Sequence, residues 1–83
     1  MDACLITFRS VTPAQRAELL LRREGIAAVL QRTPRILAER GCGYSVRIGD
    51  SYRLQAAEIL RQRGIHFQKI YWMRDGIPEE VLL

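Results

Sequence analysis

Histidine and lysine each occur once in this chain, at His66 and Lys69, and cysteine only twice, at Cys4 and Cys42. Two cysteines do not make a disulfide framework, and without a C-x-x-C pair there is no signature of a zinc site or of dithiol redox cycling. One histidine and no Ser/His/Asp set, no carboxylate pair and no phosphate-cradling glycine loop leave a thin supply of groups for a turnover enzyme. No apolar run approaches the ~20 residues of a membrane span. The first residues, Met1 to Phe8, carry an acid in place of a basic leader region, and their apolar run is strand-length, so they do not read as a signal peptide. A reducing cytoplasm is the expected location.

Against these shortages the chain is rich in arginine. Twelve arginines and the single lysine set against nine acids give a net charge of +4. The arginines are spread along the chain and form no basic block, which suits an acidic partner or nucleic acid without naming either. With 83 residues, 48% apolar and 27% charged, the composition is that of one soluble globular domain.

Ala3 to Phe8 reads as a first strand. Thr12, Pro13 and Gln15 form a capping box with proline at the first helical position, opening a helix that ends at Gly25. Ile26 to Gln31 reads as a second strand. Thr33-Pro34 starts at most a turn or two of helix before Gly41. Tyr44 to Ile48 alternates as a half-buried third strand. Asp50-Ser51 caps a second long helix, lined by Tyr52, Ala56, Ile59 and Leu60 and closed by Gly64. His66 to Met73 is the fourth strand, and Asp75-Gly76 turns the chain into a tail. A shift of 39 residues aligns Ala17–Ile26 with Ala56–Ile65, identical at five of ten positions, each segment being a helix-Gly-strand joint. Two such halves predict an α+β fold: a ferredoxin-like βαββαβ plait over residues 1–74. Its four antiparallel strands are expected in the order 4-1-3-2 with both helices on one face, followed by a short tail over 75–83.

This topology places the loop between the second and third strands at the same end as the turn into the first helix. That loop holds Gly41-Cys42-Gly43. Flanking glycines remove steric cover from the cysteine, and Arg9, Arg35 and Arg40 supply the positive charge that favours a thiolate, as does the amino end of the first helix beside Ser10 and Thr12. A free cysteine is also a common small core residue, and Gly-Cys-Gly a common turn. His66 opens at the same end and reads as a surface histidine at a strand start. Cys4 falls at the other end of the first strand, roughly 15 Å away at ~3.3 Å per residue, beyond disulfide reach, and reads as a core filler.

With Thr7-Phe8-Arg9-Ser10 leading into Ala17-Glu18, then Thr33-Pro34-Arg35 and Cys42-Gly43, the chain resembles a family of small bacterial proteins described as selenium/sulfur carrier-like. The resemblance runs from about Leu5 to Tyr71. It implies Cys42 as the thiol that holds sulfur or selenium, with Thr33, Pro34 and Arg35 shaping the loop in which Gly41 and Gly43 flank it. It implies unidentified donor and acceptor proteins as partners, and no metal or separate cofactor. Where such proteins tend to place small serines before the cysteine, this chain has Ala38-Glu39-Arg40-Gly41, which sets an acid near the thiol.

Two rival readings come from other classes. The plait is shared by RNA-recognition domains, and Arg40-Gly41-Cys42-Gly43-Tyr44 echoes their third-strand motif. Cys42 stands where a stacking aromatic is needed, however, and the first strand offers Leu5-Ile6, so nucleic acid is disfavoured. The other is a small interaction or regulatory module, a homodimer formed through Tyr71, Trp72 and the apolar tail on the helix-free face or at the fourth-strand edge.

Overall fold

The computed structural model describes residues 3–38 and 43–81. Five strands, β1 (Ala3–Phe8), β2 (Ala28–Arg32), β3 (Tyr44–Gly49), β4 (Ile70–Arg74) and β5 (Ile77–Glu80), form one antiparallel sheet in the order β2-β3-β1-β4-β5. The expected four-stranded sheet is therefore corrected to five. Asp75 and Gly76 both take positive φ, 51° and 78°, the conformation of a tight two-residue hairpin whose twist matches the flanking strands. That turn folds Ile77–Glu80 back along β4, with Arg74 opposite Ile77 and Tyr71 opposite Glu80.

Helices α1 (Val11–Arg23) and α3 (Arg53–Gln62), the latter entered through a 3-10 turn at Asp50–Tyr52, pack on one face of the sheet. The period-two alternation of β1 sends Cys4, Ile6 and Phe8 to that face, where they meet Ala14, Ala17 and Leu21 of α1 and Ala56, Ala57 and Leu60 of α3. Alanines at the contact let the helices approach the sheet closely, and larger residues fill the remaining volume. The internal repeat corresponds to two Schellman caps. Gly25 and Gly64 take φ of 84° and 71°, and the amides of Ile26 and Ile65 donate to the carbonyls of Leu21 and Leu60, both at 2.9 Å. Each cap turns the following isoleucine back into the core its helix has just covered.

Several boundaries differ from expectation. Helix α1 begins at Val11 with Ser10 as N-cap and no side-chain capping bond, so the Thr12–Gln15 capping box does not form. Pro13 is accommodated because the first helical turn has amides without intrahelical partners. Strand β2 starts at Ala28, not at Ile26, because Ile26 is used in the helix cap. Strand β4 starts at Ile70, not at His66. Ahead of it, Thr7 holds the chain irregularly, its carbonyl accepting from Gln68 N–H at 2.8 Å and its hydroxyl from Lys69 N–H at 3.1 Å.

The second face is not bare. A one-turn helix α2 (Arg35–Ala38) follows Thr33-Pro34 and places Leu37 against Leu5 and Tyr71, with Met73 packed alongside. Tyr71 is thereby left 4% exposed.

Candidate functional site

Cys42, Gly41 and Arg40, with Glu39, lie outside the described residues. The described frame of the loop is specific. Gly43 N–H donates to Phe8 C=O at 3.2 Å, and Gly43 C=O accepts from Thr33 N–H at 3.2 Å. One residue thus ties the end of β1 to the residue following β2. A Cβ built on Gly43 would lie 3.5 Å from Arg9 C=O, an ordinary contact, so its anchoring comes from hydrogen bonds and not from a steric need for glycine.

Beneath this junction Thr33 Oγ1 and Ser45 Oγ are hydrogen-bonded at 2.7 Å, and both are buried. Ser45, which alternates with Val46 along β3, is fully buried because β3 is an interior strand and its second face is covered at this point. The bonded pair satisfies two hydroxyls that would otherwise be costly to bury. Pro34 C=O accepts from Leu37 and Ala38 N–H at 2.9 and 3.0 Å, starting α2. Arg9, Ser10 and Arg35 are exposed. The structure therefore gathers Arg9, Ser10, Thr33 and Gly43 at one end of the sheet, with Pro34 and Arg35 leading from Thr33 into α2. His66 shares a cleft with Arg9 at this end.

The opposite end of β1 contains a polar cluster for which the sequence carries little local signal. Asp50 accepts from Trp72 Nε1–H, from Cys4 Sγ at 3.3 Å and from Arg53 at 2.9 Å. The Trp72 ring also lies beneath the guanidinium carbons of Arg53 and Arg74, 4.7 and 4.3 Å from its centroid. Burial works against the charge of Asp50, but the Trp72 and Cys4 hydrogen bonds and the Arg53 charge outweigh it and hold the carboxyl below its usual range. Trp72 is thereby engaged within the chain. Cys4 is fully buried and faces a carboxylate, the reverse of the surroundings that activate a thiol. Among the described residues no three metal-ligating side chains cluster, and no helix is long and apolar enough to cross a membrane.

The molecule is thus an α+β domain of antiparallel sheet and helices, with a cationic end at which the β2–β3 connection returns. Its family follows from the sequence as a whole: the model of a family described as "Putative Se/S carrier protein-like" matches residues 3–72. The chain belongs to that family. No curated protein and no solved structure matches it.

Proposed function

We propose that the protein carries a sulfur or selenium atom on Cys42. The observation that carries this reading is the family match, which spans the Thr33-Pro34-Arg35 and Cys42-Gly43 segments. The local frame supports it, since Gly43, covalently next to Cys42, is hydrogen-bonded to Phe8 and Thr33 beside Arg9. In the proposed step the Cys42 thiolate attacks the outer sulfur of a donor persulfide. A new S–S bond forms, the donor's S–S bond breaks, and the donor leaves as a thiolate, so no external oxidant is consumed. An acceptor thiolate attacks the carried atom in the same way. A populated thiolate needs no general base for this exchange.

Intact-mass measurement and peptide mapping after incubation with a persulfide or perselenide donor, either of which leaves as a thiolate, test the reading. Wild type and Cys4→Ser gain the mass of one sulfur or selenium on the Cys42 peptide, and Cys42→Ser gains none. Labelling at Cys4, or equal slow labelling at both cysteines, refutes it.

Self-association has a narrower basis. Ile36 and Ile77 are 56% and 68% exposed and line a groove of about 430 Å³ with Leu37, Tyr71 and Pro78, a surface compatible with a second copy. Sedimentation at micromolar concentration should show a dimer that Ile77→Lys converts to monomer. A wild-type monomer refutes this.

A further inference from the structure

Between the start of α1 and the segment leading into β4 runs a cleft of about 610 Å³, within the size range of small-molecule sites. Its apolar lining is Pro13, Ile65 and Phe67, and its polar lining includes Arg9, Arg16 and His66. Ile65 is buried and Pro13 and Phe67 half-buried, whereas Arg9, Arg16 and His66 are exposed. Among the described residues no carboxylate lines this cleft, nor the two hollows that adjoin it and add Arg23, Arg61 and Arg63.

Like Arg23, Arg35, Arg47 and Arg63, the three polar groups are not engaged by another side chain among the described residues. Arg22 and Arg53 are ion-paired, while Arg32, Arg61 and Arg74 lie over aromatic rings. Arg9, Arg16 and His66 make no side-chain hydrogen bond or ion pair among the described residues. The first turn of α1, which contributes Pro13, contains no acid that would compete for them. Two guanidinium groups and an imidazole around an apolar floor suit a multiply charged anion joined to an apolar group. A guanidinium fork matches phosphate oxygens in pairs, and Phe67, Pro13 and Ile65 offer surface to a ring or short hydrocarbon.

We propose that this cleft is a binding site for a small organic phosphate, its phosphate held by Arg9 and Arg16 and its apolar part seated against Pro13, Ile65 and Phe67. The site does not depend on the carrier role of Cys42 and is tested separately from it.

The test is an amide-resolved NMR titration of the whole chain at low ionic strength with phenyl phosphate, inorganic phosphate and phenol. Phenyl phosphate gives saturable shifts centred on Gly64–Gln68 and Arg9, binds more tightly than inorganic phosphate, and phenol gives none. Arg9→Gln and Arg16→Gln each weaken phenyl phosphate about tenfold, the scale of one lost charge-assisted contact. Arg47→Gln, an exposed arginine on β3 outside the cleft, leaves it unchanged. Non-saturating shifts, equal weakening by Arg47→Gln, or binding of a single-stranded oligonucleotide without binding of phenyl phosphate overturns the proposal. Folded spectra of each variant before titration separate lost binding from lost structure.

Discussion

At the Cys4 end of β1, a carboxylate, an indole N–H, a thiol and a guanidinium satisfy one another, with Asp50 at the centre. At the Phe8 end, Arg9 and His66 have no ion pair among the described residues, and the backbone of Gly43 bridges β1 and the residue after β2. One strand thus separates a cluster whose groups bond one another from an end where Arg9 has no ion pair among the described residues. The cluster is partly exposed, and Arg53 Nε within it is buried without a partner among the described residues, but its hydrogen bonds and ion pair converge on Asp50. Unpartnered cations contribute little to the fold and are free to meet an anion. The two cysteines therefore call for different physical accounts, Cys4 lying within the closed cluster and Cys42 being covalently next to Gly43 at the other end of the strand.

Truncating the closed end has the largest expected effect. Trp72→Ala removes an aromatic body packed on the core and takes a donor from Asp50; urea denaturation should show a loss of about 3 kcal/mol, with Cys4 becoming accessible to alkylation. A loss below about 1 kcal/mol would mean that the ring adds little to packing. At the open end the buried hydroxyl pair gives a smaller effect. Ser45→Ala orphans Thr33 Oγ1 and should cost about 1–2 kcal/mol. In a double-mutant cycle with Thr33→Val the two losses should be non-additive by about 1 kcal/mol, and strict additivity would deny the bond.

Acid sharpens the comparison. Because the carboxyl of Asp50 lies below its usual range in the folded chain, the stability it contributes is complete above the unfolded value of ~3.9 and is lost as pH falls through the lower folded value. Wild-type stability should therefore decline below about pH 4, and Asp50→Asn should remove that component of the profile. An unchanged profile would show that Asp50 is not linked to folding. The smallest effect is expected at Tyr71, whose buried hydroxyl has no hydrogen-bond partner among the described residues. Tyr71→Phe should change stability by less than about 0.5 kcal/mol or raise it slightly, and a loss above about 1 kcal/mol would reveal a partner in solution.

Much of the helical face was legible in the sequence because it rests on local periodicity. The repeat at Ala17–Ile26 and Ala56–Ile65 announced two helices closed by glycine, and both are closed by Schellman caps. Strands β1 and β3 were legible from an apolar run and a period of two. The fifth strand was missed although Asp75-Gly76 is a strong hairpin signal, because Ile-Pro-Glu-Glu at 77–80 has neither the alternation nor the β-branched content of a strand and is held by pairing with β4. The burial of Ser45 was not legible because alternation reports faces and not what covers them. The Asp50–Trp72–Cys4 cluster joins residues 22 and 46 positions apart, a long-range contact that no local pattern encodes. The gathering of Arg9, Thr33 and Gly43 followed from topology alone, since an antiparallel sheet with this strand order brings the β1 exit and the β2–β3 connection to one end. The cleft at Arg16 and His66 was not foreseen as a unit, because it depends on where the irregular segment before β4 passes the first turn of α1.

The most direct test of the difference between the two thiols is time-resolved alkylation of the native protein, read by peptide mapping and repeated in urea. The account predicts that the Cys42 peptide is modified first, with Cys4 at least about a hundredfold slower in the native protein and equally fast once unfolded, since a fully buried thiol reacts only when the structure opens. Modification of Cys4 at the native rate of Cys42, or protection of both until unfolding, would contradict it.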